Sequence, residues 1–142
     1  MKEKVYLDST VPSYYFDERE ALKTFTEITR KWWSEMSSYY DLYISDAVLQ
    51  ELTNGNYPRK AEIIHLVSRI PLLPPTSALE QVVEFYLAYA SYFDIQYLVT
   101  WNCNHLANAN KRKHIRVINA RLGLSTPEIV TPLELFKEEN NL

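Results

Sequence analysis

Three side chains stand where oxygen chemistry could be assembled: Asp8, Glu51 and Asn102. Asp8 closes the apolar run Lys4-Val5-Tyr6-Leu7. Glu51 falls about one turn into a helical pattern that follows a second such run, and Asn102 follows a later one. Carboxylate and carboxamide oxygens are hard donors, the kind that Mg2+ or Mn2+ prefers. A divalent ion held between carboxylates can polarise a phosphate oxygen and activate water. Spacing alone does not compel this, because any α/β domain carries acids near strand ends. The plain alternative is a set of solvated loop side chains.

The elements that must position these residues are legible. Lys4–Asp8 reads as a short buried strand, broken by Ser9-Thr10-Val11-Pro12. Asp17 to about Ser37 has Leu22, Phe25, Ile28, Trp32 and Trp33 at helical intervals. Asp41–Ser45 is a second strand, with Ser45 or Asp46 capping a helix over Ala47–Thr53 that Gly55 closes. Pro58 opens a further helix with an apolar stripe of Ile63, Ile64, Leu66 and Val67, and Leu72-Leu73-Pro74 is a brief third strand. Ser77–Phe93 is amphipathic, Tyr97–Thr100 is a fourth strand, and a basic helix spans about Lys113–Leu122 before Gly123. Glu128-Ile129-Val130 adds an edge strand, and Pro132 starts a terminal helix. Strands alternating with helices predict a parallel sheet covered on both faces, a three-layer α/β/α arrangement. In such sheets the ligand cleft lies beyond the carboxyl ends of the strands, where the strand order reverses. Asp8, Glu51 and Asn102 all follow strands, so one cleft could collect them.

Composition removes other classes. A chain of 142 residues with 46% hydrophobic and 23% charged residues suits one folded domain, taken as 1–142. One cysteine, Cys103, excludes a disulfide framework, and two glycines exclude a Gly-rich phosphate loop. No apolar run approaches the ~18 residues of a membrane span. The opening MKEKVYLDS enters a strand-like pattern at once, so a cytoplasmic location without a signal peptide is expected. The net charge of −3 hides a strong segregation. From Asn102 to Pro127 there is no acid but five bases, Lys111, Arg112, Lys113, Arg116 and Arg121, which leaves 18 acids against 10 bases elsewhere. A basic face of this kind can bind a phosphate backbone on an acidic protein.

The residue context goes further. Val5-Tyr6-Leu7-Asp8-Ser9-Thr10-Val11-Pro12 resembles the opening strand of PIN-domain nucleases, in which the first acidic ligand precedes small hydroxyl residues. Ser45-Asp46-Ala47-Val48-Leu49-Gln50-Glu51-Leu52 is similar to their second motif, with Glu51 in the acidic position. Leu98-Val99-Thr100-Trp101-Asn102 looks like the last, in which Thr-x-Asp or Thr-x-Asn ends the fourth strand. The resemblance extends over nearly the whole chain and points to the bacterial subgroup allied to VapC-type toxins of toxin–antitoxin systems. It implies a PIN-like domain with a central parallel sheet of four to five strands. It also implies a Mg2+- or Mn2+-dependent ribonuclease in which Asp8 and Glu51 anchor the ion and Asn102 orients the attacking water. Thr10 and Thr100 would be the donors that orient Asp8 and Asn102, and an antitoxin protein would cover the cleft.

One departure from the family matters. PIN domains carry two helices between the third and fourth strands, the second opening on an acidic ligand, whereas here Ser77–Phe93 alone fills the interval. Counting back without gaps places Val83 where that acid belongs. Glu80, one turn earlier, and Glu84, adjacent but turned by about 100°, are the candidates to replace it. As an i, i+4 pair they also fit a solvated stripe. The rival function is therefore a catalytically silent PIN-like module that binds RNA or an antitoxin. A shortened connection favours exchange between protomers, so a homodimer swapped through Ser77–Phe93 is expected. Lys111, Arg112, Lys113 and Arg116 would contact RNA. His105 and His114 read as polar scaffold or phosphate contacts, Trp32 and Trp33 as filling a core or an interface rather than stacking on bases, and Trp101 as packing behind Asn102.

Overall fold

The computed structural model describes residues 2–73, 93–102, 116–117, 120–121, 123 and 126–136. The helix expected over Ser77–Phe93, with Glu80, Val83 and Glu84, lies outside them except for Phe93. Cys103, His105, Lys111, Arg112, Lys113 and His114 also lie outside.

Five strands run in parallel: β1 (Glu3–Leu7), β2 (Tyr40–Ser45), β3 (Leu72–Leu73), β4 (Tyr97–Val99) and β5 (Glu128–Val130). Their order across the sheet is β3-β2-β1-β4-β5. In β1 the consecutive residues Val5, Tyr6 and Leu7 are all fully buried, which requires cover on both faces of the sheet. The architecture is α/β with a parallel sheet inside. β1→β2→β3 proceeds one way from the centre and β4→β5 the other, so the order reverses between β1 and β4. No helix among the described residues is long and apolar enough to cross a membrane.

Helix α1 (Thr10–Tyr15) follows β1 directly, where the sequence predicts only a break. Pro12 is third in this helix, and the first four N–H groups of a helix have no intrahelical acceptor. Proline is harmless there. Helix α2 (Lys23–Met36) starts later than predicted, after a 3-10 turn at Glu20–Leu22. Its buried face is Thr26, Thr29, Trp32 and Met36, whereas Phe25 of the predicted stripe is 40% exposed. Thr29 can be buried because its hydroxyl donates to the Phe25 carbonyl at 2.6 Å, within its own helix.

Helix α3 (Asp46–Asn54) is capped by Ser45, whose Oγ accepts from the Val48 N–H at 3.2 Å. Gly55 follows it, donating its N–H to the Glu51 carbonyl at 2.8 Å. A Cβ on Gly55 would stand 2.4 Å from the Tyr57 ring, so glycine lets Tyr57 fold back over the end of α3. Helix α4 (Lys60–Val67) buries Ile63 and Val67 and leaves Ile64 and Leu66 half-buried. The left-handed Gly123 (φ 71°) donates to the Ala120 carbonyl, where the basic helix was predicted to stop. A 3-10 turn at Pro132–Leu135 stands at the terminal helix position, with a reciprocal Thr131/Glu134 cap.

Ser45 also shares a hydrogen bond of 2.6 Å with the buried Tyr6 hydroxyl, tying α3 to the central strand. Ser45→Ala removes both the cap and this link. The expected loss is about 2 kcal/mol in urea unfolding, roughly half from each. A loss near zero would mean that neither bond contributes.

Candidate functional site

Asp8 follows β1 and Thr100 follows β4, so these two residues flank the point where the strand order reverses. The Asp8 N–H donates to the Val99 carbonyl at 3.1 Å and holds the two strand ends together. Asp8 itself is only 4% exposed. Its Oδ1 accepts from the Thr10 N–H at 3.0 Å and from the Thr10 hydroxyl at 2.5 Å, and its Oδ2 accepts from the Thr100 hydroxyl at 2.6 Å. Since each carboxylate oxygen has two lone pairs, Oδ1 is saturated and Oδ2 keeps one acceptor position.

The second carboxylate arrives from α3. Ser9, immediately after Asp8, donates its hydroxyl to Glu51 Oε2 at 2.7 Å. A pair of neighbouring hydroxyls thus anchors both acids: Ser9 takes Glu51 and Thr10 takes Asp8. The side chain of Asn102 is exposed, and its backbone N–H donates to Thr100 Oγ1 at 2.9 Å. The same Thr100 hydroxyl donates to Asp8, so one side chain joins Asn102 to the carboxylate. Arg116 is helical and exposed.

Burial is the main force on Asp8 and pushes its pKa above the ordinary value of 3.8. The hydrogen bonds from Thr10 and Thr100 pull the other way, and the nearby negative charge of Glu51 adds to the rise. Among the described residues neither acid has a basic partner; their ion pairs are Asp17–Arg19, Glu18–Arg59 and Glu62–Arg59. An acidic pair without a counter-ion is the electrostatic setting in which a cation is held. The donor types fit a hard divalent ion: the remaining acceptor position of Asp8 Oδ2 and the Glu51 carboxylate held by Ser9, with Asn102 tied to the same Thr100 hydroxyl through its backbone N–H. The donors are few, however. Among the described residues no three His, Cys, Asp or Glu side chains come together.

Tyr57 was not anticipated. Burial raises the pKa of its phenol, which faces the charges of Glu51 and Asp8 and the side chain of Ser9. The signal that could have located it is Gly55, the glycine that clears its path. The indole N–H of Trp101 donates to Thr29 Oγ1 at 2.7 Å, a bond that residue spacing does not show. Trp32 is fully buried and Trp33 half-buried against the core. At the other end of the strands a groove of about 390 Å3 opens beside Trp33, Tyr40, Leu66, Arg69 and Pro71, with Asp41 as its one acid. It offers no paired carboxylates.

Thr100→Val keeps the shape of a fully buried side chain and removes the donor to Asp8 Oδ2. The expected cost is about 1.5–3 kcal/mol at neutral pH, the range for hydrogen bonds to charged groups. It shrinks in acid, where Asp8 is protonated and no longer needs that donor. Urea unfolding at the two pH values measures this, and an equal loss at both would remove the carboxylate from the explanation.

Comparison with known proteins returned no match to a family model, to a curated protein or to a solved structure.

Proposed function

We propose that this chain is a divalent-metal-dependent endoribonuclease of the PIN, VapC-like toxin type, hydrolysing phosphodiester bonds in RNA. The observation that carries the reading is Asp8, a buried carboxylate at the reversal of the strand order, with Glu51 beside it and no cationic partner among the described residues. In this reading Asp8 and Glu51 would hold Mg2+ or Mn2+. The ion, when bound, supplies Lewis-acid stabilisation of the charge that develops on the phosphate. Thr10 and Thr100 lock the Asp8 carboxylate in one orientation, so little reorganisation is left for the reaction. Asn102 orients the attacking water. Water adds its hydroxyl to phosphorus while the ester bond breaks, and its proton ends on the departing ribose oxygen. The exposed Arg116 attracts the phosphate backbone. An antitoxin that covers the cleft and a homodimer belong to the same reading.

A second reading is favoured by the count of donors. Two carboxylates hold Mg2+ more weakly than three or four, and a silent RNA- or antitoxin-binding module would keep the fold without turnover. One assay separates the two: cleavage of a mixed RNA pool with Mn2+ by wild type, Asp8→Asn and Glu51→Gln. The nuclease reading expects each substitution to slow cleavage by about 100-fold or more, equivalent to several kcal/mol of lost stabilisation. Equal rates in all three folded proteins, or no cleavage by any, would leave the silent module.

A further inference from the structure

We propose that the open edge of β2 at Leu42, with the groove that Arg69 lines, is a docking site for an extended, acidic peptide segment of a partner protein. The assignment does not depend on the nuclease reading, because this groove lies beside the amino-terminal half of β2, away from Asp8 and Glu51.

Backbone groups along a strand turn alternately to its two neighbours. The Ile44 N–H reaches the Pro71 carbonyl at 3.1 Å, so the even-numbered residues of β2 face the β3 side. Leu42 therefore turns its N–H and C=O the same way. Among the described residues nothing meets them there, because the β2–β3 register begins only at Ile44 and Leu72. Pro71 stands where the next rung would form, and proline has no N–H to offer the Leu42 carbonyl. The chain just before it is curled into the turn after α4, where the Ile70 N–H donates to the Val67 carbonyl at 3.0 Å. A strand edge with a free donor and acceptor side by side is a template for another extended chain.

The groove beside this edge has a volume of about 390 Å3 and is walled by Trp33, Leu66 and Ile70, all half-buried. Side chains alternate along an extended peptide, so one set enters the groove while the backbone pairs with Leu42. Charge sets the character of that peptide. Asp41, the acid of the groove, stands opposite Lys4 in the β1–β2 register, which balances it locally. Arg69 is exposed and has no ion-pair partner among the described residues, so the groove keeps one uncompensated cation. A carboxylate on the peptide completes that pairing. Shape selects a single chain over the sheet edge of a second copy. β3 stands one strand further out, about 4.8 Å, so the open part of β2 lies in a recess.

Random heptapeptides displayed on phage and selected on the wild-type protein supply the probe, and the strongest binder is synthesised. The proposal expects it to carry an acidic residue among alternating apolar ones. Arg69→Glu should weaken its binding by about tenfold or more, with Arg69→Lys keeping most of it. N-methylation of alternate peptide amides should abolish binding in one register and spare it in the other, since only the inward amides of an added strand are bonded. Hydrogen exchange reads the protein side. The Leu42 amide should exchange quickly in the free chain and slow by about tenfold or more when the peptide binds. A peptide indifferent to Arg69→Glu, or tolerant of N-methylation in both registers, overturns the proposal. So does a selection that returns no binder. If Arg69→Glu changes the sedimentation of the protein alone, the groove is a contact between copies, and the proposal is again overturned. RNA cleavage should be equal in wild type and Arg69→Glu, so failure here leaves the nuclease reading untouched.

Discussion

Asp8→Asn is expected to melt at a higher temperature than wild type at pH 7 and, unlike wild type, to show no further rise when Mn2+ is added. The first half follows from burial. With its pKa raised above 3.8 in the folded chain, Asp8 keeps a proton that the unfolded chain has already released between that value and the raised one. Folding stability therefore falls as pH rises through this window, and above it the cost of the buried charge is present in full. Asparagine is neutral at every pH and abolishes the cost. It can still accept from Thr10 with its Oδ1 and donate to Thr100 Oγ1 with its amide. The difference between the two melting curves against pH isolates Asp8 from the other carboxylates, since Asp17 and Glu62, both lowered by arginine partners, are common to both proteins.

The second half concerns the cation. A ligand that binds only the folded state adds about 2.7 kcal/mol when present at 100 times its dissociation constant. Wild type should gain on that scale with Mn2+, and its pH profile should flatten, because the ion replaces the proton on Asp8. Asp8→Asn should gain nothing. A wild-type melting temperature indifferent to Mn2+ would remove the metal from the account, whatever the RNA assay gave. A variant less stable than wild type at pH 7 would mean that the hydrogen bonds to the ionised carboxylate outweigh its burial.

The largest effect on stability is expected at Trp32. Its side chain is fully buried, lies nearly parallel to Tyr40 at 6.2 Å and meets Trp33 edge-on at 6.3 Å. Trp32→Ala leaves a cavity between α2 and β2 and should cost about 3–5 kcal/mol. The whole stability of a domain this size is about 5–15 kcal/mol, so the variant would stand near the edge of folding. Trp32→Phe should be much milder for a second reason. The indole Nε1 is buried with no hydrogen-bond partner among the described residues, and removing an orphaned N–H recovers about 1–3 kcal/mol of desolvation against the smaller void. Urea unfolding followed by circular dichroism avoids the lost fluorophore. A phenylalanine variant as unstable as the alanine one would contradict this ordering.

Trp32 shows how far local pattern reaches. Its helical interval in the sequence marks it as core, and core it is, because a large ring in an amphipathic helix has few other places to go. The alternation of apolar runs and helical stretches likewise suffices for a parallel sheet, since parallel strands need covering crossovers. Ser45 as a cap and Gly55 as a stop depend on neighbours within one turn, so they too are legible. Asp8 at a strand end, with hydroxyls after it, is a local feature of the same kind.

Other features rest on partners far along the chain. The Ser9–Pro12 stretch contains turn formers by composition, yet it starts a helix because its first turn needs no internal donors. The buried Thr29 of α2 takes a hydrogen bond from the Trp101 indole across 72 residues, and no periodicity in residues 23–36 encodes that partner. The hydrogen bond from Thr100 to Asp8 spans 92 residues, and the strand pairing that permits it also removes Asp8 from water. Residue types and their intervals were enough to name the groups that could act. Their ionisation and their coupling through shared hydroxyls were decided only by folding, because desolvation and pairing exist only once distant segments meet.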